Sequence, residues 1–376
     1  MRRALPLVAV LATLVLSPAA AGASGAPAVD ARAYTVVDAR TGDVLASSHA
    51  DEELPIASIT KLMTVIVTLQ HKRLDDVVRV DPRAAAVGEE SIYLDAGDEL
   101  TVRDLLEGTL IQSANDAADA LALSVAPSFA AFAALMNAEA RKLGLDHTHF
   151  VRPDGLDAPG EYSSAADVTK LGRDAMRIPI VRRIVRMPTA TIAGGQVLHT
   201  WDDLLGVFPG VLGGKTGHTD DAGWCQVIAA RHGGATVYVT MLGSPSRSVR
   251  NAGLEALLAW GLAQFRVVPA VDPARTYARV RLPYGRAPLR LVPASGLNAE
   301  ARVGHGLTER VVAPVAVSLP VRKGQVLGRV TVYDGKRLLG SRALVADRTV
   351  ERPGVAGRVR FYGSRTLHHL VGWITP

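Results

Sequence analysis

Strand-like segments stand at both ends of the first two thirds of the chain, and this placement limits the possible architectures. Near the start, "AYTVVDARTGDVLASS" has β-branched residues on both sides of a turn at Thr41 and Gly42, which predicts two strands. Much later, "GWCQVIAARHGGATVYVTML" predicts a hairpin that turns at Gly233 and Gly234. A sheet that combines these segments must be completed by strands distant in sequence.

Helical patterns fill the space between these segments. From Ser58 to about Met187 apolar residues recur at three and four spacing, and Gly144 is well placed to close one helix. A final helix, "RNAGLEALLAWGLAQF", follows the second hairpin directly. Strands at both ends with helices between them predict an α+β layer architecture. We expect it to be one domain over residues 24–265.

The pattern changes from about Arg266. "RKGQVLGRVTVYDGKRLLGSRALVA" alternates apolar and polar residues about a turn at Asp334 and Gly335, which indicates a hairpin, and prolines interrupt the stretches before it. We predict a separate small all-β domain over residues 266–356.

The first 23 residues have the composition of a secretory signal. Arg2 and Arg3 precede an apolar stretch from Ala4 to Leu16, and an Ala-x-Ala pattern at residues 21–23 offers a cleavage site. The apolar stretch is short for a membrane-spanning helix, which needs about 20 residues. We therefore expect an exported protein on the periplasmic or cell-wall side of the membrane.

Charge and cysteine content narrow the class of partner. The net charge is +6, and arginines far outnumber acids after Arg266. Nucleic acid is the usual partner of such a positively charged surface, but export favours an anionic lipid surface or cell wall instead, so no nucleic acid is expected.

The single cysteine, Cys225, excludes an internal disulfide and lies in a strand-like segment, as a buried apolar residue does. The ten histidines form no ligand pattern, and we predict neither metal nor cofactor.

One lysine stands in an apolar helical segment. "PIASITKLMT" places Lys61 three residues after Ser58, and positions three apart share a helix face. Burial lowers the pKa of a lysine, and a neutral amine beside a hydroxyl is a general base that can make the serine a nucleophile. Arginine cannot take this role because it keeps its proton. Alone, the pattern more often arises by chance or from a capping serine near a lysine whose amine reaches solvent.

Two further motifs follow in order. "QSAND" places Ser113 and Asn115 between two helical patterns, where a helix cap is the alternative interpretation. "GGKTGHT" places Lys215 and Thr216 among glycines just before the second hairpin, where backbone can approach a ligand closely and a cation can bind a carboxylate. The alternative there is a glycine turn with a solvated lysine.

Together these motifs resemble those of penicillin-binding proteins and class A β-lactamases. Nearly the whole chain is similar to low-molecular-mass penicillin-binding proteins of the D-alanyl-D-alanine carboxypeptidase type. The resemblance implies a β-lactamase/transpeptidase-like domain in which Ser58 is the acylated nucleophile, Lys61 its base, and Ser113 a proton relay to the leaving amine. The oxyanion would be held by the backbone N–H groups of Ser58 and His218.

The resemblance also implies which residues bind the substrate, a peptidoglycan stem peptide, with β-lactams as covalent inhibitors. Asn115 would hold the substrate amide, Lys215 would supply positive potential, and Thr216 would bind the terminal carboxylate. Gly217 and His218 complete the predicted binding residues. Serine-type D-alanyl-D-alanine carboxypeptidase activity is the expectation.

Other activities can use the same motifs: endopeptidase or transpeptidase action, β-lactam hydrolysis, or wall binding without catalysis. A class A β-lactamase adds a loop glutamate with an asparagine four residues later, whereas Glu161 here is followed by Ala165. We therefore interpret Glu161 as a bystander and expect slow deacylation after β-lactam attack. The extra β-domain favours the carboxypeptidase by family analogy, and the complete motifs argue against a silent protein.

Two stretches depart from the family pattern. Ala114 stands where glycine is frequent, and Trp201, Asp202 and Asp203 stand where many relatives carry asparagine. These differences affect the expected shape of the cleft rather than its chemistry.

The tail, residues 357–376, contains four apolar residues on one helical face: Leu367, Leu370, Val371 and Ile374. It is too short to span a bilayer, but a basic amphipathic helix with Trp373 near its end could lie on an anionic membrane surface. A final element packed on the β-domain is the alternative.

Overall fold

A computed structural model describes residues 25–359 and 361–362, together with the backbone of two short strands near the N-terminus. These are β1 (Val8–Leu11) and β2 (Val15–Leu16). The chain divides into two compact units: one is Ser24–Gln264, and the other combines the N-terminal strands β1 and β2 with the chain from Phe265 onward. The signal cleavage site predicted at residues 21–23 lies outside the described residues.

The first unit, Ser24–Gln264, contains nine strands and eight α-helices among its described residues. The strands are β3 (Ala33–Asp38), β4 (Val44–Ser48), β5 (Val77–Arg79), β6 (Glu99–Thr101), β7 (Thr189–Thr191), β8 (Val197–His199), β9 (Val211–Thr219), β10 (Gly223–His232) and β11 (Ala235–Ser244). The helices are α1 (Lys61–His71), α2 (Pro82–Ala85), α3 (Val102–Glu107), α4 (Asn115–Val125), α5 (Phe129–Leu143), α6 (Ala165–Ala175), α7 (Pro179–Ile184) and α8 (Arg247–Ala263).

The main sheet joins the two ends of this unit. Its order is β4-β3-β11-β10-β9, and every neighbouring pair is antiparallel. The pairing of β3 with β11 places Asp38 opposite Val237, about two hundred residues apart in sequence. The predicted α+β class is confirmed, and β9 is left as an edge strand.

Helices cover both faces of this sheet. On one face, Thr169 of α6 lies between Thr35 and Thr240, with oxygen–oxygen distances of 2.5 and 2.6 Å. On the other face, Gly253 of α8 lies against Met241, the strand neighbour of Thr240. Adjacent strand residues point to opposite faces, so α6 and α8 enclose the sheet.

The remaining helices form a cluster around α1. Ser128 caps α5 by accepting a hydrogen bond from Ala131 N at 3.1 Å, and Gly144 ends that helix with φ +66°, as predicted. Apolar side chains of α1, α3, α4 and α5 pack in one buried core, which includes Met63, Leu105, Leu121 and Phe132.

The second unit is built mainly of strands: β12 (Phe265–Val271), β13 (Ala278–Val280), β14 (Leu289–Pro293), β15 (Leu297–Arg302), β16 (Leu307–Pro314), β17 (Val326–Asp334) and β18 (Arg337–Ala346). The larger sheet has the order β1-β16-β17-β18-β14-β13, with β2 also paired to β16, and β12 pairs with β15. The predicted turn joins β17 to β18, with Gly335 at φ +54°.

Most of the predicted amphipathic tail lies outside the described residues. Its beginning is described: the backbone is helical at residues 355–359, and the rings of Phe361 and Tyr362 lie 5.7 and 6.3 Å from that of Tyr284. Membrane association of the tail stays a prediction.

No single helix in the described ranges is long and apolar enough to cross a membrane. One pair, α4 with α5, passes that test jointly by length and composition, with a bend of 86°.

Candidate active site

A cavity of about 340 Å³ in the first unit collects the motif residues. Five predicted site residues line it: Ser58, Ser113, Thr216, Gly217 and His218. The other three, Lys61, Asn115 and Lys215, are buried and contact the lining serines or one another. All eight therefore come together, although they derive from three separate parts of the chain.

Ser58 lies in a 3₁₀ turn, Ala57–Thr60, immediately before α1. The preceding residue, Ala57, has φ +49°, a conformation that non-glycine residues seldom adopt. Gly155 packs against this turn so closely that a Cβ there would lie 2.2 Å from the Ala57 carbonyl oxygen. The backbone that carries Ser58 is thus held in a strained conformation by its neighbours.

Lys61 is the first residue of α1 and is fully buried. Its Nζ lies 2.7 Å from Ser58 Oγ, 2.7 Å from Asn115 Oδ1 and 2.6 Å from the Asp154 carbonyl oxygen. The contact predicted from the Ser-x-x-Lys spacing is present. Three oxygen partners fix the amine in one position, so it faces the serine hydroxyl without rearrangement.

Burial is the largest influence on the Lys61 amine and lowers its pKa to about 8. Nearby carboxylates of Asp154, Asp119, Glu161 and Glu90 act in the opposite direction. An appreciable fraction of the amine is therefore neutral near pH 8, and the neutral form can accept a proton from Ser58.

Ser113 has φ +67° and joins a π-helical turn, Gly108–Gln112, to α4. Ala114 is the N-cap of α4 and Ser113 provides no cap, so the alternative interpretation of this motif as a simple helix cap is wrong. Lys215 Nζ donates to Ser113 Oγ at 2.8 Å and to the Thr216 carbonyl at 2.8 Å. Burial, aided by Lys61, lowers the pKa of Lys215 well below its usual value.

The edge strand β9 runs very close to the turn that contains Ser58. A Cβ on Gly217 would lie 2.7 Å from the Ile56 carbonyl oxygen and 3.2 Å from Ser58 N. Only glycine permits this approach, which brings the backbone of β9 beside the Ser58 N–H. The next residue, His218, stacks on Trp224 with ring centroids 4.1 Å apart.

Arg250 is a cavity residue that the sequence motifs did not reveal. It belongs to α8, is 1% exposed, and lies over the Trp224 ring at 5.6 Å. Its Nη2 donates to Asp203 at 3.2 Å and to Asn251 at 2.7 Å. Arg250 therefore brings a second buried cation to the wall that carries Lys215 and Thr216.

The stretch around Trp201, which departs from the family pattern, shapes the edge of the cavity. The Trp201 indole donates to the Gln112 carbonyl at 3.1 Å, and Asp203 accepts from Arg247 Nε at 2.7 Å. Asp202 is buried and accepts from Gln226 Nε2 at 2.9 Å. These residues connect the cavity rim to β10 and α8.

Glu161 and Cys225 have side chains that can take part in catalysis, but neither is among the residues that line this cavity. Glu161 accepts hydrogen bonds from Thr60 Oγ1 (2.9 Å) and from the backbone N–H groups of Val151 (3.2 Å) and Arg152 (2.9 Å). Burial raises its pKa to about 7. Cys225 is completely buried, and burial raises the pKa of its thiol to about 11, so it is not an activated nucleophile.

In this α+β unit one serine contacts a buried lysine, and a second serine–lysine pair lies beside them. This arrangement is typical of acyl-transfer enzymes that form an ester on a serine. The sequence model of the D-alanyl-D-alanine carboxypeptidase family matches residues 20–246. The chain belongs to this family of serine peptidases.

Individual relatives extend the similarity beyond the catalytic unit. D-alanyl-D-alanine carboxypeptidase DacC of Escherichia coli K12 is 33% identical over 369 residues, which cover 92% of this chain and 91% of that protein. The structure of penicillin-binding protein 5 from Haemophilus influenzae has a TM-score of 0.64 at 26% identity and covers 87% of this chain and 99% of its own. Penicillin-binding protein D2 from Listeria monocytogenes, solved in its ampicillin-bound form, has a TM-score of 0.57 at 32% identity over 62% of this chain and 98% of its own.

Proposed function

We propose that this protein is a serine-type D-alanyl-D-alanine carboxypeptidase that removes the terminal D-alanine from peptidoglycan stem peptides through an acyl-enzyme on Ser58. The observation that carries the proposal is the 2.7 Å contact between Ser58 Oγ and the Lys61 amine, whose pKa is lowered to about 8. Family membership supplies the substrate class.

In the acylation step the neutral Lys61 amine takes the proton of Ser58, and Oγ attacks the carbonyl of the penultimate D-alanine. The developing oxyanion is bound by the backbone N–H groups of Ser58 and His218, next to the close approach at Gly217. The proton that Lys61 has taken returns through the Ser113 hydroxyl to the leaving amine, so the C–N bond breaks, free D-alanine departs and Lys61 is neutral again. Its position, 2.8 Å from Lys215 Nζ, supports this relay.

The substrate is oriented by groups on both sides of the nucleophile. Asn115 holds the substrate amide, while Thr216 binds the terminal carboxylate in the positive potential of Lys215. Arg250 adds to that potential, because its guanidinium keeps its charge at any physiological pH. Water then attacks the ester, with Lys61 again as the base, and releases the shortened peptide.

β-Lactams are proposed as covalent inhibitors that acylate Ser58 and leave slowly. The ampicillin-bound relative supports the first part of this proposal. The second part is supported by Glu161, whose carboxylate is engaged by Thr60 and two backbone N–H groups and is not among the cavity residues. Rapid turnover of a chromogenic cephalosporin by the purified protein would overturn slow deacylation.

We further propose that residues 1–23 direct export, that the enzyme works on the outer side of the cytoplasmic membrane, and that residues 357–376 bind an anionic membrane surface. N-terminal sequencing of the mature protein tests the first proposal. Deletion of residues 358–376 tests the last: the truncated protein is expected in the soluble fraction, and continued sedimentation with membranes would refute the anchor.

The decisive experiment is mass analysis of pentapeptide-bearing wall fragments after incubation with the enzyme. Loss of one terminal alanine is expected from the wild type and not from Ser58→Ala, whereas Ser47→Ala, an exposed serine of β4, should act like the wild type. Opened or newly formed cross-links without alanine release would indicate an endopeptidase or a transpeptidase. Unchanged release by Ser58→Ala would exclude Ser58 as the nucleophile.

A further inference from the structure

Glu161 does not line the cavity, but its carboxyl group binds the turn that contains Ser58. Its Oε1 accepts a hydrogen bond from Thr60 Oγ1 at 2.9 Å. Thr60 is completely buried, is the last residue of that turn and directly precedes Lys61. This hydrogen bond therefore acts on the short stretch of backbone between the nucleophile and its base.

The second oxygen of the same carboxyl group binds a segment on which the base depends. It accepts hydrogen bonds from the backbone N–H groups of Val151 at 3.2 Å and Arg152 at 2.9 Å. Two residues further on, the Asp154 carbonyl accepts a hydrogen bond from Lys61 Nζ at 2.6 Å. One side chain thus joins the turn that carries Ser58 to the segment that holds the Lys61 amine.

The backbone of Glu161 is fixed independently of these contacts. Its N–H donates to the Ala158 carbonyl at 3.1 Å. The next residue, Tyr162, exchanges two backbone hydrogen bonds with His149, of 3.0 and 2.9 Å. The carboxyl group therefore bridges the two segments from a defined position.

The bridge does not require a charged carboxylate. Burial, aided by Asp154, raises the pKa of Glu161 to about 7, so both protonation states are present near neutral pH. A protonated Oε1 can donate to Thr60 Oγ1 while Oε2 still accepts from the two backbone N–H groups. Glutamine has the same shape, and its amide nitrogen and oxygen can make the same three contacts. A base that activates water, in contrast, could not be replaced by glutamine.

We propose that Glu161 is a positioning residue that maintains the contact between Ser58 and Lys61. It does so by joining Thr60 to the segment that presents the Asp154 carbonyl. This role rests on the proposed acyl-enzyme function, because Glu161 acts through the nucleophile and its base and does not touch the substrate. Loss of the bridge should slow acylation and leave ligand binding unchanged, since the three partners of the carboxyl group lie outside β9.

Paired substitutions at Thr60 test the bridge. Thr60→Val removes the hydroxyl at almost constant size, whereas Thr60→Ser keeps it. Stopped-flow acylation by a fluorescent penicillin gives the rate constant at saturation and the dissociation constant of the initial complex. We expect Thr60→Val to lower the rate constant about tenfold with an unchanged dissociation constant, because a small displacement of reacting groups is costly. Thr60→Ser should stay within about twofold of the wild type, because its hydroxyl can make the same contact.

A double-mutant cycle tests whether Glu161 acts through Thr60. Glu161→Ala is expected to slow acylation by about tenfold or more, and Glu161→Ala/Thr60→Val should be no slower than Glu161→Ala alone. Glu161→Gln should keep both acylation and release of the penicilloyl group within about threefold of the wild type. Glu139→Gln, a buried acid of α5 outside the cavity, is the matched control and should also keep both rates.

Thermal unfolding shows which variants are folded, and the comparison of Thr60→Val with Thr60→Ser is decisive even where Glu161→Ala does not fold. Full-rate acylation by Thr60→Val, or effects at the two sites that multiply, would overturn the positioning role while leaving the carboxypeptidase proposal in place. Slow release of the penicilloyl group by Glu161→Gln, with normal acylation, would overturn it in favour of a deacylating base. A wild type that is not acylated and releases no D-alanine would overturn the proposed function and the positioning role together.

Discussion

The two walls of the cavity each contain a buried lysine bound to a serine, yet the two lysines stand in different surroundings. The helical wall is formed by the turn Ala57–Thr60 and α1, and there Lys61 contacts Ser58 at 2.7 Å. The strand wall is formed by β9, and there Lys215 contacts Ser113 at 2.8 Å. Burial lowers the pKa of both amines, so the neutral form is accessible on either wall. Burial alone therefore does not distinguish a base from an electrostatic residue.

The partners of each lysine make the distinction. Lys61 is surrounded by carboxylates that favour its protonated form. They would stabilise the ammonium ion that forms when Lys61 accepts a proton. Lys215 lies beside Thr216, and the charges that act on it are mixed: Lys61 and Arg250 oppose its protonated form, whereas Glu90 and Asp202 favour it. From this we infer that proton transfer belongs to the helical wall and carboxylate recognition to the strand wall. Substitutions at both lysines can test the division.

The largest effect is expected from Lys61→Arg. A guanidinium stays protonated and cannot accept the Ser58 proton, so the rate of β-lactam acylation should fall by about 10³-fold. Stopped-flow measurement with a fluorescent penicillin provides the rate, and thermal unfolding shows that the variant is folded. Lys72→Arg, just after the end of α1, is the matched control and should be unaffected. A loss below tenfold in Lys61→Arg would contradict a proton-accepting role.

The pH dependence of acylation should follow the helical wall. The neutral Lys61 amine is the active form, so the second-order acylation rate should rise with pH and level off above an apparent pKa of about 8. Well below that value the neutral fraction falls about tenfold per pH unit, which predicts a rate about 50-fold lower at pH 6 than at pH 8. A β-lactam without groups that titrate in this range should be used. A flat profile from pH 6 to pH 9 would show that the lysine is neutral throughout or is not the base.

The sequence predicted the helical wall better than the rest of the cavity. Ser58 and Lys61 are three residues apart, so helix geometry alone places them in contact. The hairpins with turns at Gly42, Gly233 and Gly335 were equally predictable, because local turn chemistry determines them. Such features depend on neighbours in the chain, and these are visible in any single sequence.

Features that depend on contacts between distant segments could not be predicted. Arg250 reaches the cavity only because α8 packs against the sheet, and nothing local marks it among the many arginines. The third partner of Lys61, the Asp154 carbonyl, is a backbone atom that no motif can indicate. The left-handed conformation of Ala57 is imposed by packing, since alanine has no intrinsic preference for it.

The strand wall should tolerate an arginine better than the helical wall. Lys215→Arg keeps a positive charge beside Thr216 but must fit a larger group where Lys215 is 2% exposed. We expect about a tenfold loss in acylation rate from imperfect positioning, well below the loss at Lys61. The same stopped-flow assay applies, with Lys142→Arg on the surface of α5 as the control. Should Lys215→Arg lose as much activity as Lys61→Arg, a neutral amine would be required on both walls and the proposed division would fail.

The smallest effect is expected from Asp119→Asn, one helical turn beyond Asn115 on α4. Burial, reinforced by Asp154, raises the pKa of Asp119 to about 8, so at pH 7 the carboxyl is mostly protonated and neutral. An asparagine of the same shape should then change acylation at pH 7 by less than about threefold. Above pH 8 the wild-type carboxyl ionises, and its charge raises the pKa of Lys61. The variant lacks that charge, so its rate should level off at a lower pH.

A matched variant on the same helix separates this effect from a general loss of structure. Asp116 accepts hydrogen bonds from Ser91 Oγ and from the backbone N–H groups of Ile92, Leu94 and Ala117. Asp116→Asn replaces one accepting oxygen by a donor, and at least one buried N–H loses its partner, which costs about 1–3 kcal/mol of stability. We expect Asp116→Asn to lower the Tm clearly and Asp119→Asn to leave it nearly unchanged. If instead Asp119→Asn reduced acylation at pH 7 more than tenfold, an ionised Asp119 would be needed beneath the base, and the helical wall would work through a charged pair rather than a neutral acid.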